Sequence, residues 1–303
     1  MLTIMQFGAT GQVGRELITR AAGAGVGLRA LSRAEADLSD AQACAAAIEH
    51  AGRIDAVINA AAYTAVDQAE TDEAVAYRIN AEAPGAMARA CADRGIPFLH
   101  VSTDYVFDGA LGRAYRESDP SAPLGAYGRS KLAGEAAVLA AGGSAIILRT
   151  SWVFSPFGKN FVRTMLRLAA EREEIAVVDD QFGGPTAAGD IADALLAMAI
   201  ACALGCSERG VFHFAGAPLT TWCGFAEAIF AAALPAGHRP HVRPIRTCDY
   251  PTPAVRPVNS ALDCRRIAAV YGLQQPSWRT SLADVVTRLR AAETRMATES
   301  AHA

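Results

Sequence analysis

The stretch LTIMQFGATGQVG, residues 2–14, decides the architecture. A short run without formal charge, LTIMQF, leads straight into Gly8, Gly11 and Gly14, and a helical pattern starts at about residue 12. Glycines between a strand and a helix permit a tight turn. They also let backbone N–H groups approach a pyrophosphate resting at the positive end of the helix. The spacing G-x-x-G-x-x-G differs from the G-x-G-x-x-G of many dehydrogenases, and a glycine triplet alone is often only a turn. Strand before and helix after give this one its meaning.

Outward from that loop the pattern repeats. Apolar runs at LRAL (28–31), IDAVIN (54–59), IPFLHV (96–101) and AIILR (145–149) alternate with helical stretches near 12–24, 70–94 and 126–141. Near-continuous apolar strands divided by helices predict a parallel sheet covered on both faces, the doubly wound Rossmann-type α/β plan. After Arg149 the segments become longer and richer in proline and aromatics: SWVFSPFGKNF, DDQFGGPT, YPTPAVRPVNS. Residues 1–150 are therefore expected to form a dinucleotide-binding domain, and 151–186 with 216–303 a smaller α/β lobe over the substrate. A helix at 187–203 and a strand at 210–216 are expected within a segment, 187–215, that returns to the first domain. A further helix is expected at 222–233. No internal repeat is visible, and the tail ETRMATESAHA (293–303) is expected to fray.

Composition narrows the class. The chain has 303 residues, 51% hydrophobic and 19% charged, which suits a folded globular protein rather than a disordered one. A net charge of −3 gives no electrostatic case for nucleic acid or an anionic membrane. The seven cysteines are odd in number and scattered, without C-x-x-C. Cys202 and Cys206 share a helix face but lack histidines at metal-ligand spacing, so the set reads as reduced core thiols of a cytoplasmic protein. Neither a signal peptide nor a membrane-spanning run is read from the N-terminus or beyond.

Two further strand ends carry chemistry. The second closes on LSR, where an acidic residue would commonly accept from a ribose 2′-hydroxyl. Ser32 and Arg33 suit a 2′-phosphate instead, favouring NADPH with NADH as the alternative; Arg33 as a plain surface charge stays open. Asp37 and Leu38 stand where adenine would border. After the third strand, the small run Asn59, Ala60, Ala61, Ala62 lets a cofactor lie flat against backbone.

HVSTDYVFDG (100–109) ends the fourth strand on Ser102, Thr103, Asp104 and Tyr105, groups that are costly to bury without partners. Tyr127 follows in YGRSK, with Lys131 four residues on and so on the same helical face. A tyrosine ordinarily titrates near ~10, and the ammonium is expected to lower that by roughly 1–3 units. Such a phenol would donate a proton to a carbonyl being reduced. Thr103 would hydrogen-bond the same oxygen, and Lys131 could also hold the nicotinamide ribose.

The segments GATGQVG, NAAAYTAVDQAE, STDYVFDG, YGRSKLAGE, RTSWVF, GKNFVRTML, DDQFGGPT and RPVNSALD lie between residues 8 and 263. Together they resemble the extended short-chain dehydrogenase/reductases and, within them, the dTDP-4-dehydrorhamnose reductase family. The resemblance implies NADPH-dependent reduction of the 4-keto group of a dTDP-6-deoxyhexulose to dTDP-L-rhamnose, with Thr103, Tyr127 and Lys131 catalytic. It implies sugar contacts at Thr64, Val66, Thr103, Asp104, Tyr105 and Trp152. The cofactor set it suggests is Gly8, Thr10, Gly11, Gln12, Val13, Gly14, Ser32, Arg33, Asp37, Leu38, Ala60, Ala61, Ala62, Tyr63, Asn80, Ser102, Tyr127 and Lys131. Asn80 takes the place of a supporting asparagine, with a helix-surface residue as the alternative.

Further substrate candidates are Asn160, Gln181, Trp222, Arg256 and Asn259. Trp152, Phe161 and Trp222 would stack on a base, line a pocket or be plain core. Arg256 would bridge a pyrophosphate bidentately, and Thr186 is a weaker candidate beside Gln181 and Asn259. Family members hold Mg²⁺ between subunits through glutamates. Here Glu16 matches one such position and Asp190 stands at another, but the C-terminal ligand has no counterpart. No metal ligand is therefore assigned in the site and a metal-bridged dimer is not expected, while Mg²⁺ stays open as a cofactor. Glu16 reads equally as a solvated helix charge, and monomer or homodimer stays open.

Other readings compete. A nucleotide-sugar 4,6-dehydratase needs Thr-Asp-Glu, and Tyr105 replaces that glutamate. Another nucleotide-sugar 4-ketoreductase or an epimerase would reuse the same tyrosine. A non-catalytic NADP-binding subunit, like the regulatory subunit of methionine adenosyltransferase, would not need the complete trio. Thymidine against uridine is left open.

Overall fold

The computed structural model describes residues 1–301, the side chains of Glu293 and of residues 295–301 excepted. The first half alternates: β1 (Leu2–Phe7), α1 (Gln12–Arg20), β2 (Val26–Leu31), α2 (Ala41–Glu49), β3 (Ala56–Asn59), α3 (Glu73–Tyr77), α4 (Ala83–Asp93), β4 (Phe98–Thr103), α5 (Ala126–Ala140) and β5 (Ala145–Thr150). Shorter strands then mix with helices: β6 (Val153–Phe154), α6 (Phe161–Ala169), β7 (Glu174–Val178), β8 (Phe182–Gly183), β9 (Thr186–Ala187), α7 (Ala188–Ala203) and β10 (Gly210–His213). The chain closes with β11 (Thr220–Thr221), α8 (Trp222–Ala233), β12 (His241–Ile245), α9 (Arg265–Tyr271) and α10 (Trp278–Ala301).

Six strands make one sheet in the order β10-β5-β4-β3-β1-β2, and every pairing in it is parallel. Its central strands need no polar face because both faces are covered: β3 and β5 are buried at every position. Leu17 of α1 and Ile191 and Leu195 of α7 pack on one face, and Ile48 of α2 with Met87 and Cys91 of α4 on the other. This is the doubly wound α/β architecture. A third apolar core lies away from the sheet, where Phe154, Phe225, Phe230, Trp278 and Leu282 join β6, α8 and α10. Among the described residues no helix is long and apolar enough to cross a membrane.

The winding reverses at β1, since β2 lies on one side of it and the next strand, β3, on the other. Such a reversal opens a crevice at the carboxyl ends of the strands, which is where doubly wound sheets bind ligands. The glycine loop lies there. Gly8 adopts φ 89°, and a Cβ on it would fall 2.8 Å from the Ala61 nitrogen. A Cβ on Gly14 would lie 1.9 Å from the Gly8 carbonyl oxygen, so only glycine lets α1 start this close to the turn.

The single helix expected over 70–94 is broken into α3, a π-helical turn at Arg78–Glu82 and α4. Pro84 has no N–H, so the carbonyl of Asn80 loses its ordinary helical partner and the turn widens. That carbonyl instead meets α5, where a Cβ on Gly134 would fall 1.9 Å from it. The tail expected to fray is helical backbone as far as Ala301, while residues 302–303 lie outside the described residues.

Candidate active site

A cavity of about 710 Å³ opens at the carboxyl edge of the sheet. Phe7, Asn59, Thr103 and Thr150 end β1, β3, β4 and β5 along that edge, Phe7 level with Asn59 and Thr103 with Thr150. Four strand ends therefore deliver their following residues to one place. The glycine loop supplies Gly8, Thr10, Gly11, Gln12 and Val13, and the turn after β2 supplies Arg33, Asp37 and Leu38. From the segment after β3 come Ala60, Ala61, Ala62, Thr64 and Val66. Ser102, Thr103, Asp104 and Tyr105 follow from β4, Tyr127 and Lys131 from α5, and Trp152, Phe161 and Trp222 from the second half.

The remaining candidates bind the chain itself and do not line the cavity. Ser32 donates to Glu35 at 2.8 Å, and the Tyr63 hydroxyl donates to Asp72 at 2.9 Å. Asn80 is fully buried, neither a surface residue nor a cavity one. Its amide brackets the Tyr63 backbone, accepting from N at 2.8 Å and donating to O at 3.1 Å, and reaches Ser130 of α5 at 3.0 Å. Asn160 caps α6 by accepting from the Arg163 N–H and donates to Gln12 at 3.0 Å. Gln181 accepts from the Trp222 indole N–H at 3.1 Å and so steadies that ring. Thr186 donates to the Gly184 carbonyl. Arg256 pairs with Asp67 at 2.8 Å, and Asn259 donates to the Leu111 and Arg113 carbonyls at 2.6 and 2.8 Å.

The cavity also has walls that the sequence reading passed over: Ala36, Ile79, Val101, Thr150, Ser151, Val153, Gly158 and Lys159. The Thr150 hydroxyl oxygen is buried there without a partner, as is Asp104 Oδ2. Thr150 and Ser151 follow the apolar run AIILR directly, and a hydroxyl pair at a strand's carboxyl end is the signal that would have found them.

Trp152 is the one non-glycine with positive φ among the described residues, at 48°. Its indole lies flat on that of Trp222, centroids 3.6 Å apart and planes 10° off parallel. Held strain of this kind concentrates at ligand sites.

The catalytic candidates are positioned from several sides. Glu70 accepts from the Ala126 N–H at 2.8 Å, capping the start of α5 one residue before Tyr127. The Tyr127 ring packs edge-on to Tyr105, 5.5 Å away at 74°. Burial pushes the Tyr127 phenol up to about 12, with the Thr103 hydroxyl opposing. This corrects the expected lowering by Lys131. The lysine Nζ points to the Val101 carbonyl at 2.7 Å and to His100 Nε2 at 3.1 Å, and its own burial lowers it to about 8. Burial likewise raises Asp104 to about 6, with the Thr103 and Ser260 hydroxyls nearby opposing. Thr103 donates to Asp104 Oδ1 at 3.0 Å and accepts from the Tyr105 N–H at 3.2 Å.

Behind this wall sits a buried ion pair. Arg149 of β5 reaches Glu135 of α5 at 2.6 and 2.9 Å, and Ser102 donates to the same carboxylate at 2.5 Å.

A dinucleotide fits the donors present. The N-cap of α1 is Gly11, with no side-chain cap and no acidic residue in the first turn, so free N–H groups and the positive helix end face the cavity. Glu16 is not the solvated charge allowed for above. Its carboxylate is 1% exposed and held by Arg20 at 3.2 Å and Arg288 at 2.8 Å, while Asp190 accepts from Ser281 at 2.6 Å. Among the described residues no group of three or more His, Cys, Asp or Glu side chains could hold a metal ion.

A family model described as RmlD substrate binding domain matches residues 2–291. A dTDP-4-dehydrorhamnose reductase of Burkholderia thailandensis is 48% identical over 289 residues, covering 92% of this chain and 96% of that protein. Among solved structures, a dTDP-4-dehydrorhamnose reductase of Clostridium acetobutylicum superposes with a TM-score of 0.88 at 34% identity, covering 95% of this chain and 100% of the other. One from Bacillus anthracis, solved in complex with NADP, gives 0.86 at 33% identity, with 95% and 100% covered.

Proposed function

The chain belongs to the dTDP-4-dehydrorhamnose reductase family, and from that premise we propose that its cavity reduces the 4-keto group of dTDP-4-dehydrorhamnose to dTDP-L-rhamnose, with NADPH as reductant and Tyr127 as proton donor. The observation that carries this reading is the single cavity. It joins the glycine loop, Arg33, Thr103, Tyr127 and Lys131 to Thr64, Val66, Trp152 and Trp222 across one continuous lining.

Bound NADPH supplies a hydride to the carbonyl carbon. The chain's own residues do the rest. The N–H groups at the start of α1 hold the pyrophosphate, and the alanine run 60–62 gives the cofactor a flat bed. Tyr127, whose phenol keeps its proton throughout the neutral range, donates it to the carbonyl oxygen as charge develops there. The Thr103 hydroxyl turns from Asp104 towards the same oxygen and stabilises that charge. Asp104, with one unpartnered carboxylate oxygen at the cavity, accepts from a sugar hydroxyl, while the Trp152–Trp222 stack closes the sugar side. The seven free thiols fit a reducing cytoplasm.

The test of the reaction is direct: protein, NADPH and the keto-sugar nucleotide are mixed and the cofactor's absorbance is followed. Folded protein that leaves NADPH unoxidised with authentic substrate would end this reading.

Arg33 is 78% exposed at its side chain and pairs with Asp37 at 3.1 Å. The arginine suits a 2′-phosphate and the carboxylate a 2′-hydroxyl, so both cofactors can be accepted with NADPH preferred. Arg33→Asp is expected to cut the NADPH-over-NADH ratio of kcat/KM by about 10- to 100-fold, the worth of one charge-assisted contact. An unchanged ratio would mean that the 2′-phosphate is read elsewhere.

A further inference from the structure

Behind the cavity wall, three buried side chains form a line of hydrogen bonds that the reduction above does not explain. Asn59 ends β3, His100 lies in β4 and Lys131 reaches over from α5, all at most 1% exposed. Asn59 Nδ2 lies 3.1 Å from His100 Nδ1, and His100 Nε2 lies 3.1 Å from Lys131 Nζ.

The direction of each bond follows from a backbone group. The N–H of Ala61 can only donate, and it donates to Asn59 Oδ1 at 3.0 Å. The Asn59 amide therefore turns its NH₂ towards His100, and His100 Nδ1 must accept. A neutral imidazole that accepts at Nδ1 carries its hydrogen on Nε2. Burial alone keeps that ring neutral, holding its pKa well below the ordinary histidine value, and a lysine charge, when present, acts in the same sense. The Nε2 hydrogen points at Lys131, where only a lone pair can receive it, and an ammonium has none.

We propose that Asn59 and His100 are positioning residues that favour the amine form of Lys131 by fixing the His100 hydrogen on Nε2. To take a third hydrogen, Lys131 must break with His100, or the Asn59 amide must flip and leave the Ala61 N–H facing another donor. Burial works in the same sense, and Glu135 on the same helix works against it. Arg149 is paired with that glutamate, and Tyr127 and Asp104 share the cavity wall with Lys131. The consequence is that amine and ammonium exchange at about pH 8, well below the range of a free lysine. Lys131, expected at the nicotinamide ribose, has three hydrogens to give as an ammonium and two as an amine, so turnover falls as pH rises through its pKa, and the Asn59–His100 pair sets where that alkaline limb lies.

Only the kinetic half of the test rests on the reduction proposed above. Nitrogen-resolved NMR of the His100 ring is expected to place its hydrogen on Nε2 in the wild-type protein. Asn59→Asp presents an acceptor where a donor stood. It should move the hydrogen to Nδ1 and raise the alkaline limb of kcat/KM by about one pH unit or more. His100→Gln adds no charge, and its amide can turn to accept from an ammonium. It should raise the limb as well, which separates hydrogen-bond direction from the attraction of a new carboxylate. A wild-type ring with its hydrogen on Nδ1 overturns the proposal whatever the activity. So does an Asn59→Asp protein whose ring switches while the limb stays put. Should Asn59→Asp not fold, the wild-type spectrum and the His100→Gln profile decide.

Discussion

Tyr127→Phe is expected to lower kcat by about 10²–10⁴-fold, the range of a lost general acid, while leaving cofactor affinity nearly unchanged. The substitution removes one oxygen and keeps the ring, so the edge-on contact with Tyr105 and the capped start of α5 both survive. A phenol pushed up to about 12 is a weak acid, and that is no obstacle in the reductive direction. The alkoxide forming on the substrate is more basic than a phenolate, so proton transfer runs downhill, and the phenol is protonated at every working pH. Thr103 cannot take over, because an aliphatic hydroxyl is a far weaker acid than a phenol: it can lend the forming alkoxide a hydrogen bond but not its proton. Single-turnover oxidation of NADPH, with cofactor titration alongside, separates the two effects. Wild-type turnover in the variant would move the acid role elsewhere and leave the geometry without its central group.

What the sequence disclosed, and what it withheld, follows from range along the chain. Strand–helix alternation is a local signal, so LTIMQF, AIILR and the helix at 222–233 could be placed within a residue or so, and the doubly wound plan with them. Polar pairing is not local. Nothing near Lys131 announces that its amine faces His100, 31 residues earlier. Nor does the surrounding sequence show that Glu16 is met by Arg288 from the last helix. The expected influence of Lys131 on Tyr127 went astray for this reason: spacing on a helix fixes which face a side chain leaves from, not where a flexible four-carbon stem ends. Asn80, Asn160, Gln181 and Asn259 show the same limit. Polar residues beside a site look alike in sequence whether they meet a ligand or brace the chain, and here Asn80, Asn160 and Asn259 hold backbone carbonyls while Gln181 ties the Thr247 and Trp222 side chains.

The same long-range pairing sets the second large effect. Glu135→Ala is expected to cost about 3–5 kcal/mol of folding free energy, the price of leaving a buried charge without its partner. The side chains of Arg149 and Glu135 are 5% and 3% exposed, so water cannot replace the lost carboxylate. What remains around the guanidinium is Ser121 at 3.3 Å, His213 at 3.5 Å and the face of Phe107 at 4.9 Å. None of these carries negative charge. His213 stays neutral, since burial and the arginine hold it at about 3. Ser102 loses its acceptor as well, immediately before Thr103, so activity should fall together with stability. Glu135→Gln keeps the shape and an acceptor oxygen, and should fall between wild type and alanine. Replacing both members, Glu135→Leu with Arg149→Met, should recover much of the loss, because a buried pair exchanged for apolar groups is often neutral. Denaturant unfolding of the four proteins decides the matter. Glu135→Ala within about 1 kcal/mol of wild type, the value of an exposed pair, would show that the pair is solvated and does not brace β5 and α5 behind the cavity.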